Sequence, residues 1–382
     1  MPRPGPAALA AEAAPLLPAY GRGSLVEVVP ALLQRADRSR RGDLPPWLPG
    51  PVAEAAQVVL LVLDGLGHEQ LAARPQLSPV LSSLPGQALT SVAPTTTATA
   101  LTSLATGATP AEHGILGYRL HAGGGAVLNV LRWSVGGSDA TTLVPPAGFA
   151  RRPPFLGARP PVISRAEFVG TGFTLAHLPG ADLRGWRVPS SIAVEVRRAL
   201  SEGAPLVYAY YDGIDKVAHE TGLGEHYDAE LAATDRLVGE ILEVLPPGGA
   251  LVVTADHGQV EVLGPPIHLD PAIVSDVTLL SGEGRFRWLH VVPGAAEAVA
   301  ARCAEAYGDL AWVRTREEVV EQGWLGGRPA PDLLARLGDV ALVARAPVAF
   351  FDPSDTGELR LVARHGSLTA AEMLVPLRTA AR

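Results

Sequence analysis

Cysteine is nearly absent. Cys303 is the only one in 382 residues, so no internal disulfide framework can form. It sits in an Ala-rich stretch of helical spacing, where it is expected to be a small core residue. Lysine is equally scarce: Lys216 stands alone and arginine carries the basic charge, which we read as codon preference without functional meaning. Basic residues are also outnumbered, 31 against 39 acidic, for a formal charge of −8. General affinity for nucleic-acid polymers needs clustered positive charge and is not expected, although a local basic pocket is compatible with this balance. The opening Met1-Pro-Arg-Pro-Gly-Pro leads into Ala-rich sequence with no basic region before a sustained apolar core. Neither a secretory signal nor a membrane span fits, so the expectation is a cytoplasmic protein with no membrane partner.

What is plentiful is glycine and proline, 41 and 35 residues, in a chain with 47 % hydrophobic content. That combination describes a globular protein with many tight connections. The length suits one large α/β domain with an insertion, which we favour over two domains. The expected division is an N-terminal arm over residues 1–50, a core over 51–260 and 346–382, and a smaller α+β unit over 261–345. The arm carries an apolar pattern from Leu25 to Leu33, then Arg35, Arg38, Arg40 and Arg41.

Val58 to Leu63 is a run of six aliphatic residues closed by Asp64-Gly65. With no polar face, it reads as a strand buried on both sides in a largely parallel sheet. Leu206 to Tyr211 repeats the pattern and ends at Asp212; Ala250 to Ala255 repeats it again and ends in Asp256-His257-Gly258. Ligand sites of open α/β sheets lie at the carboxyl ends of strands, so three strands deliver carboxylates to one edge. Between them come a helix broken near Pro75 and Pro79, a short strand at Ala88 to Val92, and helices at Ser191 to Leu200 and Ala229 to Leu245. Pro94 to Gly107 reads as a hydroxyl-rich turn, an Ala/Leu helix and a glycine stop, with one of Thr95 to Thr97 expected to cap the helix. Gly117 to Pro189 is Gly-, Pro- and Arg-rich, without long apolar runs, and is expected to cross the top of the sheet and shape a pocket. In the inserted unit, Phe286 to Val292 reads as a strand, and Ala295 to Tyr307 and the stretch from Thr315 as helices. The return to the main sheet is expected through Ala346 to Phe351 and Leu359 to Ala363.

The polar residues gathered at that edge are Asp64, Asp215, His219, Asp256, His257 and His365. Three aspartates and three histidines suit two divalent cations, each with three protein ligands and an open position. Asp215 and His219, four apart, share one face of a helical turn. Singly, each residue has an ordinary reading: an Asp after a strand is a turn or cap, a His a surface or core residue. Their joint order carries the weight. Asp212 is the alternative to Asp215, although its spacing to His219 fits less well.

Asp64 after a hydrophobic strand, Thr97 before Thr106-Gly107, Asp215-x-x-x-His219, Asp256-His257-Gly258 and His365-Gly366 together resemble the alkaline phosphatase superfamily. The branch they look most like is the type I phosphodiesterase/nucleotide pyrophosphatases. The resemblance covers about residues 55–260 and 345–377, and five separated motifs in order make it specific. It implies a three-layer α/β sandwich with a central, largely parallel sheet and a smaller inserted α+β cap. It also implies that Asp64, Asp256 and His257 hold one zinc with Thr97 as a further ligand, and that Asp215, His219 and His365 hold the second. Manganese would accept the same ligands. Thr97 is chosen over Thr95, Thr96 and Thr99 by its distance to Thr106-Gly107. A hydroxyl at a helix N-terminus beside a cation is an activated nucleophile. The implied reaction is in-line displacement at phosphorus through a covalent threonine intermediate on a small phosphoester.

In one place the chain departs from the pattern. Where the nucleotide pyrophosphatases carry an asparagine on a phosphoryl oxygen, this chain has Leu116-Gly117-Tyr118; Tyr118 either donates through its phenol or lines the pocket. The alternatives are therefore a phosphomonoesterase or phosphonate hydrolase of the same superfamily and, from another class, a metal-binding protein without turnover. A sulfatase lacks its Cys/Ser-x-Pro-x-Arg setting. Glu112 and His113 are expected to be structural. His68, His226, His268 and His290 are expected at the surface or in a pocket. Arg119, Arg132 and Arg364 are candidates for phosphate recognition, with solvated surface roles as the ordinary reading for each. The sequence assigns no oligomeric state.

Overall fold

The computed structural model describes residues 11–35 and 44–382. Arg38, Arg40 and Arg41 of the expected arm lie outside the described residues, as does the opening Met1 to Pro6. Seven strands form the main sheet: β1 (Gln57–Leu63), β2 (Gly86–Thr90), β3 (Pro161–Arg165), β4 (Asp182–Trp186), β5 (Leu206–Tyr211), β6 (Gly249–Thr254) and β7 (Leu374–Ala381). Their order is β2-β7-β6-β1-β5-β3-β4. All run parallel except β7, which is antiparallel to both its neighbours.

The three apolar runs ending in carboxylates are the three central, adjacent strands, and this is what creates a site. Val62 pairs with Thr254 on one side and Leu63 with Tyr211 on the other. Asp64 and Asp256 therefore emerge from neighbouring strands about 5 Å apart. Every residue of β5 and β6 is buried, and every residue of β1 after Gln57. Each such aliphatic side chain stabilises the fold by about 1.5–3 kcal/mol.

The helices that carry site residues are α1 (Thr97–Thr106), α2 (Gly172–His177), α3 (Gly213–Thr221) and α4 (Glu225–Val244). Helix α1 is buried along its whole length and stops at Gly107, whose φ of 64° closes it in the left-handed conformation. The leading segment is a capped turn at Leu25–Glu27 continuing into the helix Val28–Gln34, and it packs on α1. Arg35 is buried there, donating to the Leu32 carbonyl at 3.0 Å and to that of Pro205. A second sheet, Val277–Glu283, Phe286–Val291, Val340–Ala344 and Ala311–Thr315 in that spatial order, is antiparallel throughout. The helix Ala296–Tyr307 packs on it and buries Cys303.

Three expectations are corrected. Gly117 to Pro189 does more than cross the sheet: it supplies β3 and the edge strand β4, plus a small antiparallel sheet over residues 119–139. Both strands are short, and Arg, Gly and a leading Pro break their apolar pattern; an edge strand needs only one buried face. The return to the main sheet is made by β7. Ala346 to Phe351 joins no sheet and has only a bridge between Phe350 and Ile267; Leu359 lies in a 3-10 turn. Ala363–Arg364 pairs with Val260–Glu261 in a separate two-stranded ladder. Finally, none of Thr95 to Thr97 caps α1 through its side chain. Thr95 instead donates to the Ser367 carbonyl at 2.6 Å and accepts from the Gly366 amide at 3.1 Å. These bonds tie the loop before α1 to the loop carrying His365.

Candidate active site and metal centre

Asp64, Asp256 and His257 meet at the ends of β1 and β6, buried to 3 %, 0 % and 0 % exposure. One Asp256 oxygen, Oδ1, accepts from the backbone N–H groups of Gly65 (3.1 Å) and His257 (3.0 Å). The other, Oδ2, has no partner; Asp64 Oδ1 has none either, while its Oδ2 accepts from the Tyr210 hydroxyl. His257 Nδ1 lies 3.1 Å from the Gly258 carbonyl. A carbonyl only accepts, so Nδ1 carries the proton and Nε2 presents a lone pair. That nitrogen faces Asp64 Oδ1 at 3.3 Å, Asp256 Oδ2 at 3.4 Å and Thr97 Oγ at 3.1 Å. Buried acceptor atoms converge here with little to hold them but a cation, and a divalent ion fits.

The same logic sets the other two histidines. His365 Nδ1 is 2.9 Å from the Thr95 carbonyl and His219 Nδ1 is 2.7 Å from that of Ala363. In both, Nε2 is left as a ligand atom, 3.9 and 3.3 Å respectively from Asp215 Oδ1. A backbone carbonyl behind each ring is the usual device for fixing a metal-binding tautomer. Asp215 stands in the first turn of α3 and His219 in its last, and Gln259 donates to Asp215 Oδ1 at 2.7 Å. Among the described residues two triads have ligand atoms within 4.8 Å of one another: Asp64, Asp256 and His257, and Asp215, His257 and His365. His257 belongs to both, its ring stacked on His365 at 3.6 Å, and His219 joins through Asp215.

Electrostatics agree with the geometry. Burial, reinforced by the charges of Asp256 and Asp215, raises the Asp64 carboxyl well above its ordinary range. Burial also raises that of Asp256. His365 is pushed well below ordinary histidine by burial and by its neighbours His257 and His219. In the metal-free protein burial thus disfavours the charged forms of Asp64, Asp256 and His365; a cation would favour the two carboxylates and use the neutral imidazole.

Close backbone approach holds these parts together. A Cβ on Gly65, whose φ is 74°, would stand 3.0 Å from the Asp215 Cα, and one on Gly258 would stand 2.0 Å from the Ala371 carbonyl oxygen. Glycine is what lets α3 and the late loop reach the strand ends.

Thr97 opens α1 and is 7 % exposed. Two cavities meet at its hydroxyl, sharing Thr97, Leu131, Arg132, Asp215 and Lys216. One, of about 550 Å³, runs under α2 between Val162, Phe168, Phe173, His177 and Tyr208. The other, of about 390 Å³, is lined by Tyr118, His219, Glu283, Arg364 and His365 among others. The Tyr118 hydroxyl accepts from Asn129 at 2.6 Å. Asp212 is engaged elsewhere: Arg165 Nε contacts both its oxygens at 2.6 and 2.7 Å, and Lys216 reaches one at 2.9 Å.

Arg119 is neither solvated nor at the phosphoryl position. It is 6 % exposed and holds Asp352 and Ser354. Glu112 closes a capping box on Thr109, and buried His113 bonds Ser103 at 2.8 Å. His290 bonds Ser281 at 2.8 Å. Sequence reasoning passed over Tyr210 and Gln259, which hold the carboxylates of Asp64 and Asp215. Both were accessible to it: Tyr210 lies two residues before Asp212, and Gln259 directly follows Asp256-His257-Gly258.

A family model described as type I phosphodiesterase / nucleotide pyrophosphatase matches residues 58–182 and 185–368. The chain belongs to this family, and with it to the alkaline phosphatase superfamily. It is a hydrolase acting on phosphoric esters. Among solved structures, murine ectonucleotide pyrophosphatase/phosphodiesterase 5 is similar over 85 % of this chain and 88 % of its own, at 15 % identity and a TM-score of 0.66. An inactive variant of that enzyme in complex with AMP gives a TM-score of 0.63 at 15 % identity over 84 % and 87 %. Phosphonoacetate hydrolase from Sinorhizobium meliloti 1021, in complex with phosphonoacetate, gives 0.62 at 18 % identity over 85 % and 90 %. At these identities the likeness is one of fold. No curated protein matches in sequence. No helix among the described residues is long and apolar enough to cross a membrane.

Proposed function

We propose that this chain hydrolyses a small phosphodiester or nucleotide pyrophosphate, with Thr97 as nucleophile beside two divalent cations. The observation that carries the reading is the convergence of Asp64 Oδ1, Asp256 Oδ2 and His257 Nε2 on the hydroxyl at the start of α1. Asp64, Asp256 and His257, with Thr97, would hold one ion; Asp215, His219 and His365 would hold the other. Zinc suits the mixed imidazole and carboxylate donors, and manganese is accepted by the same set. When bound, the ions would supply Lewis-acid charge that favours the threonine alkoxide and neutralises the phosphoryl oxygens.

The chain's own residues do the rest. The free N–H groups at the start of α1 add a partial positive charge beside the Thr97 oxygen. Tyr210 and Gln259 hold Asp64 and Asp215 in place. Arg132 and Lys216, lining both cavities, bring fixed positive charge to the incoming anion. Thr97 attacks phosphorus in line with the departing oxygen, and water then releases the phosphoryl group from threonine. Tyr118, held by Asn129 on the wall of the smaller cavity, takes the place of the family's phosphoryl-contacting asparagine. That replacement supports the second reading, a phosphomonoesterase or phosphonate hydrolase. The division into arm, core and an inserted unit over 261–345, and a cytoplasmic location, belong to the same proposal.

Hydrolysis of bis-p-nitrophenyl phosphate and p-nitrophenyl phosphate by the wild type and Thr97→Ala tests it. Thr97-dependent cleavage with diester preference is expected. Monoester preference moves the chain to the second reading, and cleavage unaffected by Thr97→Ala removes the nucleophile.

A further inference from the structure

An arginine–carboxylate pair that the chemistry at phosphorus does not use is buried completely. Arg285 stands in the turn joining Val277–Glu283 to Phe286–Val291 of the second sheet, and Glu372 in the short helical turn Ala370–Met373 that leads into β7. Both side chains are 0 % exposed and they meet as a fork, Arg285 Nε lying 2.7 Å from Oε1 and Nη2 2.7 Å from Oε2. The third nitrogen, Nη1, donates to the carbonyls of Ala346 at 2.9 Å and Val348 at 2.8 Å. Stability alone does not account for such a pair, because withdrawing two charges from water costs about what their attraction returns and apolar side chains of similar volume do as well. What the fork supplies is geometry: two parallel bonds fix the plane and direction of the carboxylate.

That direction matters because of what else Glu372 holds. Its Oε1 also accepts from the Ser367 amide at 3.0 Å, and its Oε2 from the Thr369 hydroxyl at 2.5 Å. Ser367 follows His365 by two residues. Its carbonyl accepts from Thr95 Oγ at 2.6 Å, and the Thr95 carbonyl lies 2.9 Å from His365 Nδ1. The Ser367 hydroxyl adds a bond to the Ala344 carbonyl of the second sheet. The loop 365–367 is therefore gripped by Thr95 on one side and by the second sheet and the Glu372 carboxylate on the other. The main chain of Glu372 reaches a different loop, where its carbonyl accepts at 2.8 Å from the amide of Gly258, next to His257.

We propose that Glu372, oriented by Arg285, is a positioning residue of the metal centre: its carboxylate, through the Ser367 amide, sets where His365 Nε2 stands, while its main-chain carbonyl steadies the His257 turn. The inference rests on the two-cation reading, which places His365 with Asp215 and His219. It makes the second sheet part of the metal centre without lending it a ligand. Because a substitution at 372 changes the side chain and leaves the carbonyl, the two ions must respond unequally.

The test replaces the pair without leaving a buried charge. Metal-free full chains carrying Arg285→Met with Glu372→Met, and Arg285→Met with Glu372→Gln, are titrated with zinc against a chelating dye beside the wild type, and urea unfolding of each is measured. Both variants remove both charges and fill similar volume; only the one with Glu372→Gln keeps an acceptor for the Ser367 amide. Arg285→Met with Glu372→Met should stay close to the wild type in stability. Its affinity for the second ion should fall by about tenfold to 100-fold, the usual effect of removing a group that orients a ligand, with the first ion unaffected. Glu372→Gln in place of Glu372→Met should recover most of that loss. A tie that is only structural would move stability or both ions together. An unchanged second ion, an equal loss of both, or a loss that Glu372→Gln does not reduce overturns the inference. If the variant with Glu372→Met does not fold, Arg285→Lys, which keeps the charge and loses the fork, takes its place: the second ion alone should weaken, and its unchanged binding overturns the inference. A wild type that takes up fewer than two ions removes the two-cation reading and this inference with it, whereas two ions in the wild type with an unaffected second ion in the variants removes this inference alone. Selective loss of the second ion, in a chain whose wild type cleaves no ester, upholds the inference and removes the catalytic reading.

Discussion

In the cluster beyond the ends of β6 and β1, each histidine ring is pinned through Nδ1 to a backbone carbonyl, and the carboxylate oxygens of Asp64 and Asp256 that lack hydrogen bonds lie 3.3 and 3.4 Å from His257 Nε2. In the larger cavity His177 is pinned in the same way, by the Phe173 carbonyl, yet its ring stacks on Phe173 and it makes no ion pair with a carboxylate among the described residues. The comparison separates two uses of one device. Fixing the tautomer makes Nε2 a lone pair in both places; what surrounds that lone pair differs, with carboxylate acceptors crowded around it in the cluster, a setting that suits a cation, and none paired with it at His177.

The comparison breaks most severely at the nucleophile. Thr97→Ala should lower phosphoester turnover at least about 1,000-fold while leaving metal content nearly intact, because it removes the attacking atom and none of the carboxylate or imidazole ligands. Parallel assay of activity and bound metal checks this; comparable loss of both would make Thr97 mainly a ligand. Next comes the imidazole shared by the two triads. His257→Ala should weaken most the ion it would hold with Asp64 and Asp256 and, because its ligand atom also lies near those of Asp215 and His365, the second ion as well, whereas His219→Ala should weaken the second alone, each by at least about tenfold, read by titration against a chelating dye. Equal effects from the two variants would contradict the arrangement.

Stability gives the third effect. Gly258→Val should cost about 3 kcal/mol or prevent folding, because its side chain would meet the Ala371 carbonyl and the Gly67 backbone. Urea unfolding measures it, and unchanged stability would show that the approach relaxes freely.

A fourth effect has opposite signs in the two kinds of site. His113, buried away from the cluster, has its pKa lowered from 6.5 to about 3. Its contribution is complete above pH 6.5 and is lost as pH falls, by about 2 kcal/mol between pH 6.5 and 5. His113→Gln should flatten that slope. Asp64 and Asp256 are raised, so without metal they favour the folded state at acidic pH, and that contribution is lost as pH climbs past the ordinary carboxylate range. Added divalent metal should therefore raise Tm more at pH 7.5 than at pH 5.5. The smallest effect belongs to the wall: Arg165→Met, which releases Asp212, should change KM by about threefold to tenfold and leave metal content unchanged.

Asp64, Asp256 and His257 were legible in the sequence because they sit at the ends of the most apolar strands, whereas Asp215, His219 and His365 were picked out by their spacing and by the motif order. A run such as Val58 to Leu63 has no other way to be buried, and the polar residue that ends it must emerge at the sheet edge. The cavity was not legible in that way. Its wall is made by β3, whose run Pro-Val-Ile-Ser-Arg is too short and mixed to announce a strand, and by α2, six residues long. His177 looks like any histidine until the Phe173 carbonyl and the cavity are seen together. Thr95 misled for a related reason: a hydroxyl before a helix is an expected cap, but the loop carrying His365, some 270 residues away, claimed it.

The central claim, that the buried acceptors at the strand ends are a metal centre, is tested most directly by measuring metal in the purified full chain after exhaustive dialysis. Two divalent ions per chain, falling toward one in Asp256→Ala with the diesterase activity, is the predicted result. A wild-type chain that stays folded and binds no divalent ion even when zinc or manganese is supplied would contradict it.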